Sequence, residues 1–264
     1  MNGVRHFLLA LQFFTRVPVT GPLAAWVGFS PQMLRSSAAH LPGIGWLAGG
    51  MAALVFAGVG MGLPGVAGAL AAAVLSTTAT VMLTGAFHED GLADVADGLG
   101  GSADRDRALE IMKDSRIGAF GALALVLALG LKCALLAMLA GHGLQAVVVA
   151  IVGAHVLSRL TPLFLIRWLP YVGDSGASKA KPLADAISGG ALLIAVVWAL
   201  PAVALLLHAH DVAHVLAALL AAVVAAGWMA RLFMRRLQGF TGDGLGATQQ
   251  VCELAIYLAL AWRA

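Results

Sequence analysis

The chain has 264 residues, of which 61% are hydrophobic and only 11% carry a charge. Soluble globular proteins carry about 25% charged residues, so this composition, with a mean hydropathy of +0.92, excludes an ordinary soluble domain. The net charge of +3 is not gathered into a basic patch with interleaved aromatic residues, so we expect no nucleic acid partner. The composition predicts an all-α fold, a polytopic helical bundle that is integral to a lipid bilayer.

Apolar runs of about 20 residues match the length that a helix needs to cross the hydrocarbon core of a bilayer. We predict about seven transmembrane helices, preceded by an interfacial helix at residues 7–14, in one domain that covers residues 1–264. Pro162 lies within the fourth apolar run and predicts a tilt or a break there. The predicted spans are residues 43–63, 66–86, 117–140, 144–170, 187–207, 212–233 and 246–262.

The positions of Lys and Arg predict which helix ends face the cytoplasm, because cytoplasmic connections retain positive charge. Cations lie before the first span and in or beside the connections that follow the second, fourth and sixth spans. The other three connections carry neither Lys nor Arg. We therefore expect the amino terminus to be cytoplasmic, together with three catalytic loops near residues 87–118, 170–186 and 234–246.

The segment at residues 88–118 is the most polar part of the chain and holds eight of its 13 acidic residues. Asp90, Asp94 and Asp97 are spaced i, i+4 and i+7, which places three carboxylates within an arc of about 60° on one helix face. Like charges this close repel unless a cation neutralises them, and carboxylate oxygens suit Mg²⁺ or Mn²⁺. The predicted catalytic and metal-binding residues are Glu89, Asp90, Asp94 and Asp97.

Two glycines, Gly91 and Gly98, accompany these acids, and we expect them to let a phosphate ester approach the helix backbone. The alternative is that the acids form a solvated helix end with no ligand. Grouped ionisable side chains at a membrane boundary are costly and usually functional, which favours the metal site.

Cations near the acids are suited to hold the phosphates of a substrate. Lys113 and Arg116 follow in the same connection, although ordinary membrane anchoring explains them equally well. Arg159 lies within an apolar span and therefore requires an anion, either a substrate phosphate or one of the acids. Lys179 and Lys181 belong to a Gly- and Ser-containing connection that is equally typical of a flexible linker.

The third polar segment, at residues 239–246, precedes the last span. Asp243, Gln250 and Glu253 are spaced i, i+7 and i+10, so we expect their oxygens to point into the bundle. The alternative for Asp243 is a helix N-cap. His88 adjoins the acidic residues. The predicted substrate-binding residues are His88, Lys113, Arg116, Arg159, Lys179, Lys181, Asp243 and Gln250.

Six segments, taken together and in order, resemble the cobalamin synthases, the adenosylcobinamide-GDP ribazoletransferase family. The resemblance implies a polytopic enzyme of the bacterial inner membrane, with an active site facing the cytoplasm. It implies that adenosylcobinamide-GDP is joined to α-ribazole, or to its 5′-phosphate, with release of GMP and a requirement for Mg²⁺; a homo-oligomer stays open. The segments are residues 10–18 (ALQFFTRVP), 88–98 (HEDGLADVADG), 110–118, 158–159, 179–183 and 239–250 (GFTGDGLGATQQ).

Two other classes of membrane protein are compatible with acids near a membrane face. CDP-alcohol phosphotransferases require an aspartate where this chain has Phe87, and Ala-Arg where it has Ala93 and Asp94. An ion-coupled transporter requires acids spread through the depth of the membrane, whereas most acids here cluster on one predicted side. Both departures favour the transferase.

Overall fold

The computed structural model describes residues 2–173 and 186–262. Every extended regular element within these residues is a helix, and a short 3₁₀ turn joins α3 to α4. The helices are α1 (Asn2–Phe14), α2 (Gly21–Val27), α3 (Pro31–Ser37), α4 (Leu41–Gly62), α5 (Gly65–Thr84), α6 (Phe87–Gly101), α7 (Arg105–Met112), α8 (Ala119–Ala140), α9 (Leu144–Trp168), α10 (Gly189–Ala209), α11 (Val212–Arg236) and α12 (Gly242–Ala261).

Six helical stretches of the described chain are long and apolar enough to cross a membrane, which confirms the predicted all-α polytopic bundle. The seventh predicted span corresponds to α12, a helix of 20 residues that is not among the six. Its mean hydropathy is lower because it carries two glutamine and two acidic side chains, of which Gln249, Gln250 and Glu253 are buried in the bundle. The six stretches are Pro31–Gly62, Gly65–Thr84, Ala119–Ala140, Leu144–Trp168, Gly189–Ala209 and Val212–Arg236.

Helix α9 lies at the centre of the bundle and packs against α4, α10 and α12. The predicted break at Pro162 is wrong, because the helix is continuous from Leu144 to Trp168. Proline cannot donate a hydrogen bond to the carbonyl four residues earlier, that of Ser158. The hydroxyl of Thr161 donates to this carbonyl instead, at 2.9 Å, so the acceptor is satisfied inside the bundle.

The predicted amino-terminal helix is present as α1, whose Leu9, Ala10 and Phe14 are buried. Phe14 meets Phe87 edge to face with ring centroids 5.7 Å apart, and Phe13 contacts the same ring. Aromatic pairs of this geometry contribute about 1 kcal/mol beyond the area that they bury. Helix α1 therefore packs against Phe87, the first residue of α6, and α6 carries most of the predicted site.

The predicted connection at residues 87–118 consists of two helices, α6 and α7. Arg236, at the end of α11, donates to the carbonyls of Leu99 and Ser102 at 3.1 and 2.6 Å, where α6 ends. Arg105 in turn donates to the carbonyl of Leu237 at 2.8 Å, where α11 ends. Cations suit helix carboxyl termini, and these two arginines lock the α6–α7 unit to the bundle.

Candidate active site

Helices α6 and α12 cross at two glycines. A Cβ added to Gly91 would lie 2.6 Å from the carbonyl oxygen of Asp243, and one added to Gly246 would lie 3.2 Å from the Cα of His88. The expectation that Gly91 and Gly98 admit a phosphate ester is wrong, because both face protein: Gly98 packs against Met112 of α7. Their role is to let helices approach closely, which brings Asp243 to the acidic part of α6.

Three carboxylates lie near this crossing, close enough for their charges to interact, and we call Asp90, Asp94 and Asp243 the carboxylate cluster. Asp90 is exposed, whereas Asp94 and Asp243 are partly buried. Burial raises the pKa of Asp94 to about 7, and the negative charges of Asp243 and Asp90 add to this shift. Burial, and then the charge of Asp90, also raises the pKa of Asp243. A cation would relieve this mutual repulsion.

The carboxylate of Asp243 does not cap its helix. Thr241 is the N-cap of α12, and its hydroxyl accepts from the backbone N–H of Gly244 at 3.1 Å. The capping alternative is therefore wrong, and the Asp243 side chain remains available to the carboxylate cluster.

Asp97 lies on the predicted helix face but is engaged by the backbone of α8. Its two oxygens accept from the N–H groups of Gly118 and Gly121 at 2.7 and 2.8 Å. These are amides of the first turn of α8, which have no partner within their own helix. A Cβ at either glycine would collide with the carboxylate, so both glycines admit it. Asp97 thereby orients α8 against α6.

Glu89 is 7% exposed and points into the bundle, away from the exposed Asp90. Its Oε1 accepts from Nε2 of Gln250 at 3.1 Å, while its Oε2 is buried without a hydrogen-bond partner. The expectation that Gln250 and Glu253 point into the bundle is confirmed, since both are buried. His88, beside Glu89, is also buried, and burial holds its pKa well below the usual value.

The predicted metal site fits Mg²⁺ in the chemistry of its donors. Of the four predicted ligands, Asp90 and Asp94 lie near Asp243 of α12, and carboxylate oxygens are the hard donors that Mg²⁺ prefers. Glu89 has one oxygen without a hydrogen-bond partner, whereas both oxygens of Asp97 accept from backbone amides of α8. Within residues 2–173 and 186–262, however, no three His, Cys, Asp or Glu side chains are close enough together to hold a metal ion in this conformation. The metal therefore stays a prediction.

The predicted phosphate-binding cations are dispersed. Arg116 is 87% exposed and pairs with Asp114 at 2.6 Å, which raises the pKa of Arg116 and lowers that of Asp114 to about 2. An exposed pair of this kind contributes little net stability, so either partner can exchange it for a ligand. Lys113, at the end of α7, is also exposed. Lys179 and Lys181 lie outside the described residues.

Arg159 is buried in α9, where its Nη1 lies 2.9 Å from both the carbonyl oxygen and the Nδ1 of His155. Its charge is attracted to those of Glu253 and Glu89. Of the two anions that the sequence left open for Arg159, this position favours the acids over a substrate phosphate.

One buried charge was missed by sequence reasoning. Lys132 is 3% exposed in α8, and its Nζ lies 2.7 Å from Oε1 of Glu253. A lysine within a 22-residue apolar helix was a usable signal, because such a residue is rare in a span unless it has a buried partner.

Comparison with known proteins connects this arrangement to one family. The model of the CobS family, described as cobalamin-5-phosphate synthase, matches residues 6–261. A protein from Polaromonas sp. strain JS666, named adenosylcobinamide-GDP ribazoletransferase, is 57% identical over 98% of this chain and 96% of its own length. Proteins with the same name from Albidiferax ferrireducens and Leptothrix cholodnii are 58% and 50% identical, over 98% of this chain and 98% and 95% of theirs.

No solved structure matches this chain. The family match covers all six segments on which the sequence resemblance depended, and it confirms that resemblance. The chain belongs to the cobalamin-5-phosphate synthase family.

Proposed function

We propose that this protein joins adenosylcobinamide-GDP to α-ribazole, or to its 5′-phosphate, and releases GMP in an Mg²⁺-dependent reaction at the carboxylate cluster. The observation that carries the proposal is the crossing of α6 and α12, which brings Asp243 to Asp90 and Asp94. The names of the relatives supply the substrates. Family membership favours this reaction over CDP-alcohol transfer and over ion transport.

In the proposed reaction, a hydroxyl of ribazole attacks the phosphorus that is attached to cobinamide. The bond from this phosphorus to the bridging oxygen breaks, and GMP leaves with that oxygen. Asp90, Asp94 and Asp243 would hold Mg²⁺, which when bound neutralises the diphosphate charge and assists departure of GMP. Lys113 and Arg116, both exposed on the same side of the bundle, are proposed to hold phosphate oxygens.

The hydroxyl proton passes to a carboxylate at the site. Glu89 and Asp94 are the two candidate bases, and Asp94 is the more accessible because it is only partly buried. Lys179, Lys181 and Gln250 remain proposed contributors to substrate binding.

We place the protein in the bacterial inner membrane with the carboxylate cluster on the cytoplasmic side. The segments around α6–α7 and between the end of α11 and α12 carry seven of the chain's 16 Lys and Arg residues, in keeping with the positive-inside rule for cytoplasmic segments. The nucleotide-bearing substrate is polar, so it reaches a site at this membrane boundary from the aqueous phase.

The test uses purified protein in liposomes with adenosylcobinamide-GDP, α-ribazole and Mg²⁺, and follows corrinoid product and GMP by chromatography. Equal appearance of both products, abolished by chelation of Mg²⁺, is the expected result. Absence of product from folded protein, beside an active control enzyme, would contradict the proposal. CDP-alcohol substrates and then ion flux would be tested next.

A further inference from the structure

A chain of buried side chains connects the middle of the bundle to Glu89. Lys132 Nζ lies 2.7 Å from Glu253 Oε1, and the two side chains are 3% and 1% exposed. Gln249 Nε2 donates to Glu253 Oε2 at 2.7 Å. Gln250 Nε2 donates both to Gln249 Oε1 at 3.0 Å and to Glu89 Oε1 at 3.1 Å. The network therefore runs from α8 through about one turn of α12 to α6.

The chemistry of the partners fixes the direction of each amide. Ionised carboxylates only accept hydrogen bonds, so the amide nitrogens of Gln249 and Gln250 must point to Glu253 and Glu89. The second N–H of Gln249 donates to the hydroxyl of Ser158 at 2.8 Å, and that of Gln250 donates to the oxygen of Gln249. Reversing either amide would place oxygen against oxygen.

Stability alone is a poor explanation for this network. Removing two charges from water costs several kcal/mol per ion, and apolar side chains in place of a buried ion pair are often as stable or more stable. Lys132 and Arg159 balance the charges of Glu253 and Glu89, so the network is close to neutral as a group. A neutral, fully directed network suits the positioning of one side chain.

We propose that the Lys132–Glu253 pair is a positioning device for the transfer reaction. It fixes Gln249 and Gln250, and Gln250 holds Glu89 by Oε1 and leaves its buried Oε2 without a hydrogen-bond partner. Lys132, Glu253 and Gln249 are positioning residues in this arrangement and do not contact substrate. The inference rests on the proposed function, because it requires Glu89 to act in that reaction.

Two double variants of equal charge test the proposal. K132M/E253Q removes both charges but keeps an oxygen that accepts from Gln249, whereas K132M/E253L removes the charges and the acceptor. We expect K132M/E253L to lose about 10- to 100-fold in kcat relative to K132M/E253Q, with KM for adenosylcobinamide-GDP unchanged. A role limited to packing or charge predicts equal kcat in the two variants, and equality would overturn the proposal.

A second readout does not depend on turnover. Mg²⁺ should raise the unfolding temperature of K132M/E253Q, and half of the maximal rise should require more Mg²⁺ in K132M/E253L. If K132M/E253L does not fold, Gln249→Met takes its place. This substitution interrupts the hydrogen-bond network at the residue next to Glu253 and leaves the Lys132–Glu253 ion pair intact. Gln249→Met should also lose about 10- to 100-fold in kcat; unchanged kcat would overturn the proposal.

Thr248→Val is the matched control, because Thr248 is a buried polar neighbour on α12 whose hydroxyl bonds only to the carbonyl of Gly244. Its kcat should equal that of the wild type. An inactive wild-type protein would contradict the proposed function. An active wild type with equal double variants would contradict the positioning role alone.

Discussion

Asp94 combines partial burial with two nearby negative charges, those of Asp90 and Asp243. Its pKa is raised from 3.8 to about 7, so the folded protein binds this proton more tightly than the unfolded chain does. The resulting stabilisation is complete below a pH of about 4 and is lost as the pH rises through about 7. Above neutral pH, Asp94 therefore destabilises the metal-free protein.

Asp94→Asn should separate stability from activity. We expect the variant to lose measurable GMP release, while in metal-free detergent solution at pH 8 its Tm rises by roughly 2 °C. At pH 5 the rise should be smaller, because wild-type Asp94 is already protonated. Mg²⁺ should stabilise the wild type more than the variant. Asp106→Asn, at an exposed residue of α7, is the control and should change neither quantity; near-normal activity of Asp94→Asn would contradict the proposed site.

The first backbone amides of helix α8 donate their hydrogen bonds to a side chain from another helix. Asp97 of α6 accepts from two amides of the first turn of α8. In most helices the side chain of the N-cap residue accepts from such amides. The N-cap, Gly118, has no side chain that can do this. Asp97 is thus part of the joint between two elements, whereas Asp90 on the same helix face is exposed.

Asp97→Ala should therefore affect mainly stability, and Asp90→Ala should affect mainly activity. Loss of Asp97 leaves the amides of Gly118 and Gly121, the second of them buried, without this partner and should lower the free energy of unfolding by about 1–3 kcal/mol. Loss of Asp90 should leave stability unchanged and abolish GMP release. Chemical unfolding in detergent, beside the turnover assay, measures both effects. Equal stability of the two variants would contradict the structural role of Asp97.

The crossing of α6 and α12 depends on the absence of a side chain at Gly91. A Cβ there would meet backbone rather than a movable side chain, so the helices must separate to admit it. Gly91→Ala should cost about 1–3 kcal/mol and displace Asp243 from Asp90 and Asp94, with loss of most activity. Gly58→Ala in α4 is the control, since nothing lies within 4 Å of its added Cβ. The unfolding temperature and the rate of GMP release are measured for both variants. A Gly91→Ala protein that is as stable and as active as the wild type would contradict the close approach of α6 and α12 at this residue.

At the scale of the whole molecule, polar chemistry is concentrated at one end of the bundle. Both connections that deliver the carboxylate cluster lie there, and Tyr171, after α9, forms a parallel bridge with Phe240, before α12. The ion pair of Lys132 and Glu253 lies deeper, within the helices. The proposed site therefore lies at one end of the bundle, and buried polar side chains lie deeper in the helices next to it.

Chemical labelling tests which side of the membrane this end faces. In a background with Cys133→Ala and Cys252→Ala, Ser115→Cys and His142→Cys place exposed thiols just outside opposite ends of α8. In spheroplasts we expect a membrane-impermeant maleimide to label His142→Cys and to spare Ser115→Cys until the cells are lysed. The reverse pattern would contradict a cytoplasmic site.

Composition and residue spacing were enough to predict the membrane class, most of the long helices and the shared face of Asp90, Asp94 and Asp97. These properties depend on composition and on spacings of a few residues, which are local. Helix α12 lies close to the predicted span 246–262, whereas the predicted connection at residues 87–118 consists of α6 and α7. The family resemblance depended on the order of short motifs, and this order is also read directly from the sequence.

Which side chains meet depends on how the helices pack. Asp97, on the same helix face as Asp90, accepts from backbone amides of α8, and Gly91 admits a neighbouring helix rather than a phosphate. Glu89 and Gln250 are 161 residues apart in the chain yet share a hydrogen bond, and Lys132 pairs with Glu253 across two helices. The physical reason is that such contacts depend on how helices cross and which groups lack partners inside the bundle, and no local spacing encodes either.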